Sequence, residues 1–302
     1  ETDLVTYEFE NVPVAALAAV AKSRPCHPPV EALRVSQDRL LEKELFGRLG
    51  IPTPTFRAVD SLADLRAAVV AIGLPCVLKT RRLGYDGRGQ RYLRRPSDVE
   101  AAWQALGGAP LILEGFVDFD REVSIIGARS TGGETRCYPL CGNTHREGIL
   151  RVTLAPATNA RLQKVAERHL RRVMDHFGYA GVLTIEFFVW RGRLVANEMA
   201  PRVHNSGHWT IEGAVTSQFE NHLRAIMGLP LGETRAVGHC AMVNFIGAMP
   251  DRDRVLALPG AHHHDYGKAP RPGRKLGHCT IVARTAAERD RTLRRLLRLV
   301  PR

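Results

Sequence analysis

Two glutamates, Glu186 and Glu198, stand where they could hold a divalent cation between them. Residues 181–190 are dense in β-branched and aromatic side chains and predict a strand. Arg191-Gly192-Arg193 predicts a three-residue loop and residues 194–199 a returning strand, which sets Glu186 directly across from Glu198. Like charges at opposed positions repel. A cation between them removes that penalty, and a few hard oxygen ligands suit Mg²⁺ shared with the phosphates of a nucleotide. Taken alone, the same hairpin could equally turn both acids to water. The segment that follows weighs against this: Pro201-Arg-Val-His-Asn-Ser-Gly-His-Trp-Thr210 crowds Arg202, His204 and Asn205 into a loop after a strand, where ligand-binding groups concentrate. The planar fork of Arg202 matches a carboxylate or bicarbonate, and His204 and Asn205 can fix its remaining oxygens.

Upstream, a short apolar strand from Cys76 ends in Lys79 and runs into Gly84-Tyr85-Asp86-Gly87-Arg88-Gly89-Gln90. A lysine there can meet a nucleotide phosphate, and glycines let backbone N–H groups approach anionic oxygens while leaving the loop free to act as a lid. The loop is neither a Walker motif nor a dinucleotide fingerprint. Between it and the acid hairpin lies an apolar strand running into Glu114-Gly115-Phe116-Val117, able to hold a purine and its ribose, then a second strand headed by Glu122.

These segments, with Thr6-Tyr-Glu-Phe-Glu-Asn-Val-Pro13, Asp38-Arg39, Asn143-Thr-His145-Arg-Glu-Gly-Ile-Leu-Arg151 and Arg271-Pro-Gly-Arg274-Lys275-Leu-Gly-His278, run along nearly the whole chain. Their order resembles the ATP-grasp superfamily, and within it the N5-carboxyaminoimidazole ribonucleotide synthetase family. The strings Tyr-Asp-Gly-Arg-Gly-Gln and Arg-Val-His-Asn-Ser-Gly-His-Trp-Thr are particular to that family. The resemblance implies an ATP- and bicarbonate-dependent carboxylation of 5-aminoimidazole ribonucleotide through carboxyphosphate, in purine biosynthesis. ATP would contact Arg39, Lys79, the loop 84–90, Glu114 to Val117, Glu122, His145, Asn197 and Glu198. Mg²⁺ would sit on Glu186 and Glu198. Arg202, His204, Asn205 and Lys268 would serve the bicarbonate step, and Asp86, Arg88, Lys268, Arg274 and Lys275 the ribonucleotide. A cytoplasmic homodimer is expected.

The chain also departs from the family pattern. Its glycine-rich opening strand and loop, which help grip the ribonucleotide phosphate, would lie upstream of Glu1. Nucleotide binding is therefore expected to exceed the full reaction. The family usually runs on beyond Arg302, and where many ATP-grasp enzymes carry an asparagine two residues after the second metal-binding acid this chain has Ala200, leaving Asn197, Asn205 or water for its work.

The elements needed to position these groups are legible as well. Helices are predicted over 38–49, 62–72, 98–106, 160–177 and 218–227, and a strand over 240–247. Alternating helices and antiparallel hairpins argue for an α+β architecture, two lobes around a cleft. The division implied is a remnant of a Rossmann-like N-terminal lobe (1–36), an ATP-grasp domain (37–235) and a small C-terminal lobe (236–302). The net charge of +12 is carried mostly by scattered arginines. It suits anionic small molecules, and no aromatic-interleaved basic patch points to nucleic acid. Six cysteines without a C-x-x-C pair predict reduced thiols. No apolar run reaches membrane-spanning length. His262-His263-His264 is expected in a loop. The competing readings are another ATP-grasp ligase, a nucleotide-binding fragment, and a basic nucleic-acid binder that salt-dependent DNA retention would expose.

Overall fold

The computed structural model of the chain describes residues 2–84, 89–157 and 159–301. Helices α1 (Val14–Val20) and α2 (Val30–Ser36) open the chain around a small core of Tyr7, Leu17 and Leu33. Helix α3 (Arg39–Arg48) starts at Asp38, whose carboxylate accepts the Leu40 N–H at 3.1 Å, the capping role its position predicts.

A four-stranded antiparallel sheet follows, built from β1 (Phe56–Val59), β2 (Cys76–Thr80), β3 (Gln90–Leu93) and β4 (Leu111–Gly115) in the order β1-β4-β2-β3. Helices α4 (Leu62–Ile72) and α5 (Asp98–Leu106) cover one face. The pleat sorts the side chains: Cys76 and Leu78 join the core under the helices, while Val77 and Lys79 line the opposite, cleft side.

The larger sheet is also antiparallel. It contains β5 (Arg121–Arg129), β6 (Thr135–Cys137), β7 (Cys141–Arg146), β8 (Ile149–Ala155), β9 (Gly181–Trp190), β10 (Arg193–Ala200), β11 (His239–Ile246), β12 (Ala261–Asp265) and β13 (Lys275–Ala283). The order is β10-β9-β5-β7-β8-β11-β13-β12, with β6 appended to β5. Helix α6 (Ala160–Phe177) lays Leu162, Ala166, Leu170 and Val173 against Ile125, Leu183, Ile185 and Phe187, a single apolar stripe at helical spacing. Helices α7 (Thr210–Gly213) and α8 (Gln218–Ile226) belong to a second core with Trp209, Val182 and Ile126. Helices α9 (Arg252–Leu256) and α10 (Ala286–Leu299) close the C-terminal end. Packing on both faces leaves β9 buried along nearly its whole length, Thr184 and Glu186 included.

Three details depart from expectation or add to it. His262–264 lie on β12, an edge strand paired to β13, not in a loop. Pairing of Cys240 with Ala155 and of Val243 with Val152 carries the large sheet from the central strands straight into the C-terminal ones. The turn of the acid hairpin is two residues long, not three: Trp190 pairs with Arg193, and Arg191 and Gly192 take φ of 49° and 70°, the paired positive values of a tight type I′ hairpin.

Candidate active site

The shorter turn alone would spoil the acid pair. In the register it sets, Ala196 opposes Phe187, so the next pair would be Asn197 with Glu186. Glu198 would then fall opposite Ile185 and follow it toward the α6 core. A β-bulge between Ala196 and Glu198 absorbs one residue and restores Glu198 opposite Glu186. A one-residue shift changes the face of every side chain beyond it. Both Asn197 and Glu198 line the cleft as a result.

Helix α3 holds the bulge in place. Lys43 Nζ donates to the Asn197 carbonyl at 2.9 Å, and Glu42 Oε1 accepts the Met199 N–H at 2.6 Å. Both side chains are buried. Burial and, after it, the neighbouring Glu198 charge raise the Glu42 carboxyl to about 8 despite Lys43. Arg39, at the start of the same helix, donates to Glu198 Oε2 at 2.9 Å and to the Gly84 carbonyl at 3.0 Å. Burial disfavours the Glu198 carboxylate, but Arg39 outweighs it and holds the carboxyl below its ordinary value. Glu186 is raised, by burial first and then by the charge of Glu198. Two carboxylates face each other, Glu198 paired with Arg39 and Glu186 lying 3.6 Å from the His204 ring, a donor set that fits a hard divalent cation. Among the described residues no three His, Cys, Asp or Glu are placed to hold a metal by themselves, so the remaining ligands would come from water and phosphate.

The other wall of the cleft is the small sheet. Val77 pairs with Glu114, which puts Lys79 diagonal to Glu114 on the same face. Lys79 Nζ lies 2.8 Å from Glu114 Oε2, and Lys43 Nζ 3.6 Å from the same oxygen. Burial opposes ionisation of Glu114, yet Lys43 and Lys79 outweigh it and hold the carboxyl at about 2. Tyr92 and Phe116 meet edge to face, and Phe119 stacks on Phe188 with centroids 4.6 Å apart.

A cleft of about 860 Å³ opens between the two walls. Among its lining residues are Arg39, Lys79, Gly84, Gln90, Glu114 to Val117, Glu122, His145, Glu186, Asn197, Glu198, Arg202, His204, Asn205 and Lys275. His145 Nδ1 lies 2.8 Å from Glu122 Oε2; burial disfavours its protonation, but the surrounding carboxylates outweigh this and raise it. Arg202 donates to Glu10 Oε2 at 2.8 Å and to the Val203 carbonyl at 2.9 Å. His204 Nε2 is 3.6 Å from Glu186 Oε1. Asn205 Nδ2 is buried without a hydrogen-bond partner among the described residues.

Not every expected site residue lies on the cleft. Gly89 is not among its lining residues, and its carbonyl accepts the Thr80 N–H at 2.8 Å. Lys268 is exposed with its ammonium 5.3 Å above the Tyr266 ring, and Arg274 donates to the Ala269 carbonyl at 3.2 Å. Tyr85, Asp86, Gly87 and Arg88 fall outside the described residues. Sequence reasoning passed over Glu42, Lys43, Gln218 and Glu10. Glu10 lies in the N-terminal string already singled out; the other three sit on helices where nothing in the sequence marks a buried polar group.

Comparison with known proteins decides the family. Residues 44–219 match the ATP-grasp domain, and residues 240–292 the phosphoribosylaminoimidazole carboxylase C-terminal domain. The N5-carboxyaminoimidazole ribonucleotide synthase of Pseudomonas aeruginosa is 56% identical over 93% of this chain and 78% of its own. That of Escherichia coli K12 is 39% identical over 100% of this chain and 84% of its own. The chain belongs to this family. Its members are ATP-dependent ligases of purine biosynthesis with the ATP-grasp fold. The crystal structure of N5-carboxyaminoimidazole ribonucleotide synthetase from Thermus thermophilus superposes with a TM-score of 0.95 at 53% identity, covering 99% of this chain and 82% of that one. The Aspergillus clavatus enzyme in complex with ADP and 5-aminoimidazole ribonucleotide reaches 0.92 at 32% identity, covering 99% and 81%.

Proposed function

We propose that the cleft takes ATP, bicarbonate and 5-aminoimidazole ribonucleotide and produces N5-carboxyaminoimidazole ribonucleotide, ADP and phosphate. The observation that carries this reading is the opposed pair Glu186 and Glu198 at one end of a cleft that also holds Lys79 and the Arg202–His204–Asn205 cluster. Bicarbonate is a poor electrophile, so the γ-phosphoryl of ATP first converts it to carboxyphosphate. The ribonucleotide amine then takes the carboxyl group and phosphate leaves.

The aromatic rings of Tyr92, Phe116, Phe119 and Phe188 suit a purine base. Glu114 Oε1, buried without a partner among the described residues, is an acceptor that a nucleoside hydroxyl or amino group would satisfy. Lys79 places its ammonium for a phosphate. Glu186 and Glu198 would hold Mg²⁺, which when bound neutralises developing charge on the phosphates. Arg202, His204 and the orphaned Asn205 amide supply donors for the oxygens of bicarbonate. Lys275, at the same cleft, is offered to the ribonucleotide. Lys268 and Arg274 are assigned with it on resemblance alone.

The division at residues 36 and 235 and a homodimeric state belong to the same proposal. Leu223 and Met227, four apart on and just beyond α8, are 53% and 60% exposed and suit a partner subunit. Among the described residues no helix is long and apolar enough to cross a membrane, and the six cysteines are free thiols. A cytoplasmic setting agrees with those thiols.

Phosphate release and carboxylated product are to be measured together at saturating ATP, with bicarbonate and the ribonucleotide added or omitted. Product that requires all three substrates is expected. ATP turnover indifferent to bicarbonate would overturn the assignment.

A further inference from the structure

We infer that a one-way chain of hydrogen bonds running out of the large sheet holds His204 as a single tautomer, its proton on Nε2, and that Asn143, Ser124 and Ser206 are positioning residues for the bicarbonate step. The inference rests on the proposed role of His204 toward bicarbonate and adds how the ring is made a donor.

The chain begins inside the sheet. Thr153 on β8 donates its hydroxyl to Asn143 Oδ1 on β7 at 3.0 Å. The Asn143 Nδ2 donates to Ser124 Oγ on β5 at 3.0 Å, and Ser124 Oγ donates to Ser206 Oγ at 2.8 Å. Ser206 Oγ lies 2.8 Å from His204 Nδ1. Thr153, Asn143, Ser124 and Ser206 are all buried. A hydroxyl has one proton to give and two lone pairs, so a serine that accepts from one side keeps its proton for the other. Passing each proton forward leaves Ser206 donating to Nδ1.

A group of fixed polarity stands at the far end. The Ser206 backbone N–H, which can only donate, also points at His204 Nδ1, at 3.3 Å. A ring nitrogen that accepts carries no proton, so the proton belongs to Nε2. Nε2 faces the cleft, 3.6 Å from Glu186 Oε1 and beyond hydrogen-bond length. The backbone beneath the ring is clamped as well. Gln218, fully buried, donates to the His204 carbonyl at 2.7 Å and accepts the His204 N–H at 3.0 Å. His208 Nδ1 lies 3.0 Å from the same carbonyl. Neither backbone nor ring is free to turn, and the cleft receives an N–H rather than a lone pair. An anionic oxygen beside Glu186 requires a donor, and a donor oriented beforehand costs no reorganisation during reaction.

The test begins on the whole chain without ligands. Nitrogen-15 NMR of the imidazoles, with the His204 signals assigned by their loss in His204→Gln, is expected to show a bare Nδ1 and a protonated Nε2. In Ser206→Ala only the longer backbone N–H donor to Nδ1 remains, and a weakened preference for the Nε2 tautomer is expected. With it, kcat/KM for bicarbonate should fall about tenfold while Mg-ATP affinity holds. Asn143→Asp keeps the shape and, as a carboxylate, draws the Ser124 proton backward. It should shift the His204 proton toward Nδ1. A wild-type ring protonated on Nδ1 overturns the tautomer assignment. A tautomer that changes in the variants while bicarbonate kinetics do not overturns the positioning role, and places the fault with the bicarbonate reading of His204.

Discussion

The two walls of the cleft carry their charges in opposite ways. On the small sheet, Glu114 is buried between Lys79 and Lys43, and its carboxyl is held at about 2. The carboxylate of that wall is answered twice, by Lys79 from the same sheet and by Lys43 from α3. On the large sheet, Glu186 and Glu198 are set against each other, Arg39 answers only Glu198, and the Glu186 carboxyl is pushed up by burial and by its neighbour. That wall leaves the repulsion between its two acids only partly answered. Buried carboxylates therefore mean different things a short distance apart: one closes an ion pair that holds lysines in place, the other leaves a charge deficit for a ligand to fill.

The contrast is most sharply tested by removing one charge from each wall. Glu186→Gln or Glu198→Gln should cut phosphoryl transfer by on the order of a hundredfold or more, since several kcal/mol of charge stabilisation go with the metal. Glu186→Gln should leave the metal-free protein as stable as before or more so, because it relieves repulsion, whereas Glu198→Gln also takes away the partner of Arg39. Calorimetry finding unchanged Mg-ATP affinity in both variants would sink the assignment. Glu114→Gln should do the reverse to stability and cost about 3–5 kcal/mol, the loss typical when one partner of a buried pair is removed. The pH dependence carries the sign. The Glu114 carboxyl is depressed from 4.5 to about 2. Its contribution to stability is full above about pH 4.5 and lost as pH falls through about 2. Denaturant titrations across that window should show a shallower acid decline in Glu114→Gln than in the native chain. Equal slopes would mean that Glu114 is not held ionised by the lysines.

A smaller effect is expected at the rim where the walls meet the Arg202 loop. Arg202→Lys keeps the charge but loses the fork that reaches both Glu10 and the Val203 carbonyl. One lost charge-assisted bond, about 1.5–3 kcal/mol, is roughly a tenfold to hundredfold fall in bicarbonate-dependent turnover. Mg-ATP affinity should persist. If affinity collapses instead, Arg202 belongs with the nucleotide.

Much of this arrangement can be read from the chain because it rests on local chemistry. Strand composition locates β9 and the Asp38 cap locates α3; the facing of Glu186 and Glu198 follows from counting residues through the turn. The count succeeds by compensation, since a turn one residue shorter than expected is offset by the bulge at Asn197. A bulge of this kind depends on what lies across from it. Lys43 and Glu42 belong to a helix far earlier in the chain (Lys43 and Asn197 are 154 positions apart), and nothing in Leu41-Glu42-Lys43-Glu44 separates the buried pair from the solvated acid beside it. The polar chain behind His204 is hidden for the same reason. Ser124, Asn143 and Thr153 look like ordinary strand residues until three strands are placed side by side.

The smallest expected effect separates the turn from the bulge. Arg191 sits at φ 49°, a left-handed conformation that costs an ordinary L-residue about 1–2 kcal/mol and that asparagine adopts readily. Arg191→Asn would create the Asn-Gly pair favoured in type I′ turns. It would also remove the guanidinium lying 4.7 Å from the Trp190 ring, an exposed contact of about 0.5–1 kcal/mol. The two changes oppose each other, so a net gain below about 1 kcal/mol is expected in denaturant unfolding. Mg-ATP affinity should not move, because the facing of Glu198 is set at the other end of β10, where Lys43 holds the Asn197 carbonyl. Inserting one alanine after Asn197 is the counterpart. The hairpin keeps its turn, but Glu198 moves one place along β9 to oppose Ile185 and turns toward the α6 core. Mg-ATP binding should then fall as far as it does in Glu198→Gln. If Arg191→Asn weakens Mg-ATP binding and the insertion does not, the turn and not the bulge governs the metal wall.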